Sequence, residues 1–397
     1  MPLVSRQVLQ DRPAWAEIDL DAVAHNVREL KRLVGRGVDL LAVVKANAYG
    51  HGAVQVARTV LESGGNWLGV ARVDEGVQLR QAGLTCPILV LGYAPPAEAG
   101  QIVEHKLTPT LNTRQLALAV SSASVARNRV TAVHVKVDTG LTRFGLLPHE
   151  VVGFVRSVAS LPGIEVEGLY THFASADEPD KTYTLRQLAI LKDTLASLSS
   201  AGVKIRLRHA ANSAATLDLP ETHLDMVRCG IAIYGLYPSD SVSRTVKLRP
   251  AMALKSRVAR VREVPAGTSV SYGRTYYTPE ASRLALVPIG YADGVSRALS
   301  NRGSMLVRGR RVPIVGRVCM DNCVVNVQGL PEVRHDEEVV IIGRQGDAEI
   351  SADEIAGMLG TISYEVTCDI GARVPRVYLR HGRVVEVETL AHPAGTE

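Results

Sequence analysis

The segment AVVKANAYGHG, residues 42–52, decides the fold of the first half of the chain. It opens with an apolar run that is typical of a buried strand, and the run ends at Lys45. A lysine amine in such a place is costly unless it is paired, neutral or covalently used. Tyr49 and two glycines around His51 follow, so a turn into a helix is predicted next.

The same pattern of an apolar run and a helix-period segment recurs up to about residue 240. We predict strands at residues 40–44, 67–71, 87–91, 108–111, 132–137, 166–171, 205–208 and 226–229. The predicted helices include residues 53–62, 73–81, 114–126 and 184–199. Eight strands, each followed by a helix, indicate an α/β fold with an eight-stranded (β/α) TIM-like barrel. A doubly wound sheet is the alternative, but no G-x-G-x-x-G follows the first strand.

The pattern changes after about residue 245, where strand-like runs lie close together between turn signals. These runs predict a mostly antiparallel β domain. We therefore expect a barrel domain at 14–245 and a β domain at 246–397, with residues 1–13 packing against the latter. SADEIAGMLG, which begins at Ser351, is its one clear helix signal. WAEIDL, residues 15–20, precedes the barrel pattern and has no place in it.

Composition excludes several classes of function. The chain has 397 residues, 46% of them apolar, and a net charge of +5, which is too small to indicate nucleic-acid or membrane binding. The basic run RGRR, residues 308–311, is predicted to be an exposed hairpin. No apolar run is long enough for a membrane span, and no signal peptide is evident. Five scattered cysteines predict reduced thiols in a cytoplasmic protein, and no metal site is expected.

Polar residues collect where the predicted barrel strands end, which is the rim where barrel active sites form. The set comprises Lys45, Lys136, Arg143, His172, His209, Asn212, Ser213, Arg228, Gly230 and Ile231. Folding alone does not gather cations at one mouth, so an anionic ligand is predicted. A lysine that faces a phosphorylated ligand suggests a Schiff base with pyridoxal 5′-phosphate (PLP). The loops after strands 7 and 8 commonly hold phosphate in barrels.

Nine motifs, in order, resemble those of the alanine racemase family and extend from about residue 15 to 378. They are KANAYGHG, VHVKVDTG-x-x-R, THFASAD, LRHAANSA, VRCGIAIYG, VSYGRTY, IGYADG, GRVCMDNC and TISYEVTCDIG. The resemblance implies a PLP-dependent enzyme that interconverts L- and D-alanine and supplies D-alanine for peptidoglycan. It also implies a homodimer with shared active sites.

The resemblance assigns roles to individual residues. Lys45 would carry PLP and act as one base, and the partner subunit's Tyr272 would be the other. Arg228 would face the pyridine nitrogen, oriented by His209, while His172 and Arg228 would supply the positive field that lowers the tyrosine pKa. Arg143 and the partner subunit's Met320 would bind the substrate carboxylate. The remaining implied residues are Tyr49, Asn212, Ser213, Gly230, Ile231 and Tyr364 around the cofactor, Lys136 (carbamylated in some members) and Asp321 nearby.

One stretch departs from the family pattern. GLTRFG, residues 140–145, stands where the commoner form is closer to GMGRLG, so Leu141 and Thr142 are expected to alter the carboxylate loop. Two rival functions remain open from the sequence. A decarboxylase of the same architecture would favour an acidic residue at the ring nitrogen, and a non-catalytic PLP carrier would resemble the barrel alone.

Overall fold

The computed structural model describes residues 12–392, which divide into two compact units. The barrel unit comprises Ala22–Ala48 and Ala53–Pro250. The β unit comprises residues 12–21, Tyr49–Gly52 and residues 251–392. Residues 1–13 were expected to pack against the β domain. Residues 1–11 of this segment lie outside the described residues.

The first strand of the described residues is β1 (Ala14–Asp19), and the eight barrel strands follow it. These strands are β2 (Asp39–Val43), β3 (Trp67–Val70), β4 (Ile88–Val90), β5 (Thr108–Leu111), β6 (Thr131–Lys136), β7 (Ile164–Tyr170), β8 (Leu207–His209) and β9 (Met226–Cys229). Each pairs in parallel with the next, and β9 pairs with β2 to close the barrel. The predicted closed α/β barrel is therefore confirmed, although β8 begins two residues later than the apolar pattern indicated.

Helices alternate with these strands, as the periodicity predicted. The longer ones are Leu20–Val34, Ala53–Glu62, Val73–Gln81, Arg114–Ala126, Pro148–Ala159 and Thr182–Ser200, and the shorter ones are Ala99–Glu104 and Ser213–Asp218. Parallel strands covered by helices are buried on both faces, which explains their almost continuous apolar runs. Leu40, Leu41, Leu68 and Ile88 are completely buried in this way.

A left-handed turn follows β2 and precedes the right-handed helix that was predicted to begin at residue 53. Ala46, Asn47 and Ala48 have φ of 51°, 51° and 54°, and Tyr49 has φ of 53°. Such a turn costs about 1–2 kcal/mol per non-glycine residue. Hydrogen bonds hold it: the Ala46 amide donates to Glu75 Oε1 at 2.6 Å, and Asn47 Oδ1 accepts from the Ala53 amide at 2.8 Å.

The β unit contains the remaining strands of the described chain. They are β10 (Met252–Arg257), β11 (Arg260–Val264), β12 (Ser269–Val270), β13 (Tyr276–Tyr277), β14 (Ser282–Val287), β15 (Ser304–Val307), β16 (Arg310–Pro313), β17 (Cys323–Asn326), β18 (Glu338–Gln345), β19 (Ala348–Ile350), β20 (Arg376–Arg380) and β21 (Arg383–Glu388). The main sheet has the order β16-β15-β18-β10-β1-β20-β21, with β19 on β18. A three-stranded sheet, β11-β14-β17, and the hairpin β12-β13 complete it.

The structure places WAEIDL, which the barrel pattern could not accommodate. It forms β1 in the middle of the main sheet, antiparallel to β10 and parallel to β20. The RGRR prediction is confirmed, because β15 and β16 form a hairpin whose turn residues Arg308 and Gly309 both have positive φ.

The expectation of a single clear helix in the β unit was wrong. Besides Ala352–Leu359, which Ser351 caps by accepting from the Glu354 amide, residues Ser363–Cys368 form a second, six-residue helix. The second helix is short, so its periodicity could not be recognised in the sequence.

Candidate active site

Arg228 is the centre of the barrel mouth. It lies in β9 with only 3% of its surface exposed, and its guanidinium donates to neutral acceptors. Nη1 donates to His209 Nδ1 at 3.1 Å, and Nη2 donates to the carbonyls of Thr171 at 2.7 Å and Ala210 at 3.0 Å. Burial lowers the pKa of Arg228 to about 10, so the side chain stays charged at neutral pH. The predicted contact between His209 and Arg228 is confirmed.

His172 lies beside this guanidinium, and Arg228 Nη2 is 3.2 Å from His172 Nδ1. Burial, followed by the charges of Arg228, Arg143, Lys136 and Lys45, holds the pKa of His172 well below its usual range. The imidazole is therefore neutral, with Nδ1 accepting from the guanidinium, which can only donate. The low pKa argues against the expectation that His172 contributes positive charge, because burial in the first place and four neighbouring cations in the second disfavour its protonated form.

Lys45 stands where β2 runs into the left-handed turn and is half-buried. Its charge acts on His172, so the ammonium and the Arg228 cluster share one end of the barrel. The parallel strands explain this arrangement, because their carboxyl ends all meet at the same rim.

Lys136 ends β6 and anchors the loop that carries Arg143. Its ammonium donates to the Phe144 carbonyl and lies 5.7 Å from the centre of the Phe144 ring. Burial lowers the pKa of Lys136 to about 8, with Asp138 opposing this shift and Arg143 and Arg228 adding to it.

Asp138 fixes the backbone of the same loop. Its carboxylate accepts from the amides of Gly140, Thr142 and Arg143 at 2.9, 3.0 and 3.0 Å. Burial alone would raise the pKa of Asp138, but these hydrogen bonds lower it overall. Thr142 has φ of 55°, a conformation that favours glycine. The departure at Thr142 therefore strains the loop. The Arg143 side chain is exposed at the next position.

The loops after β8 and β9 meet at Ser213. Its buried hydroxyl accepts from the Gly230 amide at 3.0 Å and from the Ala232 amide at 3.4 Å. Asn212 caps the helix Ser213–Asp218 by accepting from the Ala215 amide at 3.0 Å. Ile231 is completely buried in the turn that follows Gly230. One polar corner of the barrel mouth is thus formed by the side chains of Asn212 and Ser213 and the backbone of Gly230 and Ile231.

The β unit brings together two further predicted residues, Tyr49 and Tyr364, whose ring centres are 6.0 Å apart. Burial, together with the neighbouring Cys368, raises the pKa of Tyr49, so its phenol remains protonated. His51 has no predicted chemical role. Its Nδ1 lies 3.0 Å from the Tyr49 carbonyl, which makes a hydrogen bond within the loop.

Tyr272 and Met320 lie exposed on the β unit. Tyr272 is 72% exposed and begins a short turn, and Met320 is 52% exposed. Ser271 ties their two segments together by donating to the Arg317 carbonyl at 2.6 Å. Asp321, one residue further along, accepts from Arg373 Nη2 at 2.7 Å.

Tyr170 and Asp138 also belong to the site, although neither was predicted to have a role in it. The Tyr170 ring stacks on His209 at 4.6 Å and lies 5.1 Å from the Arg228 guanidinium carbon. Asp138 stands inside the recognised motif VHVKVDTG-x-x-R, and Tyr170 immediately precedes THFASAD, so their position beside predicted site residues was the available signal.

Metal ligation and membrane crossing are two further properties of the described residues that bear on function. Residues 12–392 contain no group of three or more His, Cys, Asp or Glu side chains that could hold a metal ion. Over the same range, no helix has the length and apolar character needed to cross a membrane.

Two family models match the chain. The model of the alanine racemase N-terminal domain matches residues 18–238, and that of the alanine racemase C-terminal domain matches residues 251–378. An alanine racemase of Desulfosudis oleivorans is 53% identical over 380 residues, which cover 93% of this chain and 97% of that protein. The alanine racemase of Desulfovibrio desulfuricans is 48% identical over 369 residues, covering 93% and 99% of the two chains.

Solved structures agree with these sequence matches. The alanine racemase of Bacillus anthracis with bound L-Ala-P has a TM-score of 0.91 at 41% identity and covers 96% of this chain and 98% of its own. The alanine racemase of Bartonella henselae with covalently bound pyridoxal phosphate has a TM-score of 0.83 at 28% identity, with coverage of 93% and 100%.

Proposed function

The chain belongs to the alanine racemase family, and we propose that it interconverts L- and D-alanine with two protein bases, its own Lys45 and the partner subunit's Tyr272. The racemase identity rests on the two family models and on relatives at 45–53% identity over most of the chain. The finer assignment rests on one observation above all. Arg228 is a buried cation whose partners in the barrel are carbonyls and imidazoles.

The residues at the barrel mouth fit PLP by the chemistry of their donors. Lys45 offers an amine for covalent attachment, and Arg228 offers N–H groups to an acceptor such as the pyridine nitrogen. The Ser213 oxygen accepts from two backbone amides, which leaves its own O–H to donate to a phosphate oxygen. When bound, PLP supplies an electron-withdrawing ring conjugated to the substrate amine, which acidifies the proton on the alanine Cα.

Arg228 determines whether the pyridine nitrogen of PLP is protonated. Its pKa of about 10 is far above neutral pH, so it donates a hydrogen bond without giving up its proton. A decarboxylase benefits from a protonated ring, whereas an unprotonated ring is a weaker electron sink that suits reversible proton transfer. The neutral state of His172 agrees with this arrangement, because it adds no further proton donor of low pKa to the cluster.

Racemisation requires removal of a proton from one face of Cα and delivery of a proton to the other face. Lys45 would serve one face from within the barrel. Tyr272 is 72% exposed on its own chain, and Met320 is 52% exposed. Both exposures are consistent with side chains that face a second subunit. We therefore assign Tyr272 and Met320 to the partner's site and Arg143 to the substrate carboxylate.

The remaining assignments follow from the same site. Tyr49, Tyr364, Ser213, Asn212, Gly230 and Ile231 would hold the phosphate end of PLP, and Lys136 would position Arg143 through their shared loop. We further infer a cytoplasmic enzyme, which the small and odd number of cysteines supports, with D-alanine destined for peptidoglycan.

A mixing experiment tests the two-base, two-subunit proposal. Lys45→Ala and Tyr272→Phe chains, co-expressed with different tags, are each expected to be inactive alone. Half of the dimers in a random mixture are hybrid, and each hybrid has one intact site, so about a quarter of wild-type activity should return. Tyr277→Phe, also on the β unit and 54% exposed, is the matched control and should remain active.

The stereochemical part of the proposal has its own readout. In D2O, Tyr272→Phe should exchange the Cα proton of one alanine enantiomer but not of the other, because Lys45 still serves one face. Borohydride followed by peptide mass spectrometry should place the cofactor on Lys45. Full activity of Tyr272→Phe chains alone, or no recovery on mixing, would refute the shared site.

A further inference from the structure

A line of hydrogen-bonded side chains runs inside the barrel from Arg228 to Glu167. Arg228 Nη1 meets His209 Nδ1 at 3.1 Å, His209 Nε2 meets His134 Nδ1 at 2.9 Å, and His134 Nε2 meets Glu167 Oε2 at 3.3 Å. The other Glu167 oxygen accepts from Arg206. Both imidazoles are completely buried, and Glu167 is 8% exposed. A buried cation and a buried anion are thus joined through two rings.

The direction of every bond in this line can be determined. A guanidinium only donates and an ionised carboxylate only accepts. His209 Nδ1 must therefore accept from Arg228, and the proton of the neutral ring lies on Nε2, from which it is donated to His134. His134 in turn holds its proton on Nε2 and donates it to Glu167. Burial, reinforced by nearby arginines, lowers the pKa of His134 to about 3, in agreement with a neutral ring.

The backbone is adapted to this line at two places. The β6–β7 pairing shifts register between Val133 and His134, so that Val166 and Gly168 have partners on β6 and Glu167 is the extra residue of a bulge. Bulges re-aim side chains and concentrate near active sites. At Gly168, a Cβ atom would lie 2.7 Å from three atoms of the His134 ring, so only glycine leaves room for the imidazole.

We propose that Glu167 and His134 are positioning residues for Arg228, because they hold His209 in the tautomer whose Nδ1 lone pair faces the guanidinium. The opposite tautomer would turn an N–H toward Arg228, so a hydrogen bond would be replaced by a repulsive contact. The inference rests on the role proposed above for Arg228 at the ring nitrogen. It adds that Glu167, in the middle of β7, acts on this group through two rings.

Glu167→Gln tests the proposal, because a glutamine presents either its carbonyl or its NH2 to His134. In the PLP-loaded variant, 15N-histidine NMR should show His134 and His209 in mixed tautomers, whereas the wild type shows a single Nε2–H form of each. Racemase kcat/KM should fall about ten-fold, as for loss of one hydrogen bond to a charged group. The loss should be non-additive with His209→Gln. Glu17→Gln, which removes the carboxylate that faces Lys255 in the β unit, is the matched control and should leave both rings unchanged.

A pair of variants at His134 separates positioning from packing. Glutamine can accept from His209 and donate to Glu167, so His134→Gln should keep at least a third of wild-type kcat/KM. His134→Leu removes the same ring from beside Trp67 but carries no hydrogen bonds, and it should lose ten-fold or more. Equal loss in both variants would overturn the proposal, and so would unchanged tautomers or unchanged kcat/KM in Glu167→Gln. If the wild type failed to bind PLP, the role of Arg228 would fall instead, while the tautomers could still be read in the cofactor-free protein.

Discussion

The left-handed turn after β2 predicts that a glycine substitution will stabilise the protein. Ala46 sits at φ 51° and ψ 50° without being glycine, and its side chain is exposed. Ala46→Gly removes a methyl group that packs on nothing large, so little apolar burial is lost. The amide of residue 46 keeps its hydrogen bond to Glu75 in the variant.

The size of the effect follows from two opposing terms. An L-residue in this conformation costs about 1–2 kcal/mol, which glycine does not incur. Glycine adds freedom to the unfolded chain and so costs about 0.5–1 kcal/mol relative to alanine. The net expectation is that the free energy of unfolding rises by about 0.5–1 kcal/mol, or about 1–3 °C in the thermal midpoint of a large chain.

Ala196→Gly is the matched control, because Ala196 is exposed inside the right-handed helix Thr182–Ser200. The same chemical change should lower stability there by about 1 kcal/mol. Scanning calorimetry of both variants, PLP-loaded and at one scan rate, measures the two shifts. Equal destabilisation by the two substitutions would refute the reasoning, because the strain at Ala46 would then be absent. We also expect Ala46→Gly to lower kcat, since a relaxed turn holds Lys45 less rigidly.

Three other residues give testable expectations from the same structure. Burial lowers the pKa of Lys136 from 10.5 to about 8, so the unfolded chain binds more protons than the folded chain between these pH values. The free energy of unfolding should therefore rise with pH from about 8 to 10.5 in urea titrations of the wild type. The Lys136→Met variant should not show this rise. The neutral amine should also take up CO2 and release a proton, which gives a carbamate signal with 13C-bicarbonate that the same variant lacks. Thr142→Gly should raise the thermal midpoint and change KM for alanine, since φ of 55° is relaxed next to Arg143; a lower midpoint would contradict this. Gly52→Ala should destabilise by about 3 kcal/mol or more in urea unfolding, because φ is 93° and the new Cβ would lie 1.8 Å from the Tyr378 hydroxyl; a loss below about 1 kcal/mol would count against it.

The predicted barrel and its rim were accessible from sequence because their signals are local. An apolar run followed by a helix-period segment reports which residues are buried, and the repeat of eight such units leaves few topologies. Once the strands are parallel, their carboxyl ends share one rim. Lys45, His172 and Arg228 are therefore predicted to be neighbours from strand ends alone. In the structure, Arg228 Nη2 lies 3.2 Å from His172 Nδ1, and the charge of Lys45 acts on the same imidazole.

The place of β1 shows where local signals stop. WAEIDL has a strand pattern, but its partners β10 and β20 lie more than two hundred residues further along the chain. Nothing in the segment itself specifies which sheet it joins, because strand pairing depends on backbone hydrogen bonds that carry little sequence information.

Amino-acid order therefore determined the element types, the closed barrel and the residues that collect at its mouth, since these follow from short-range preferences and burial. Tertiary structure alone decided the protonation and direction of the groups there. The neutral state of His172 reflects its burial and the charges brought close to it in space, and the tautomers of His134 and His209 depend on partners from four different strands. Electrostatic and hydrogen-bond energies depend on distances that exist only after folding. For the same reason, the segment AVVKANAYGHG predicted the barrel and its lysine. The left-handed turn within this segment was seen only in the folded structure.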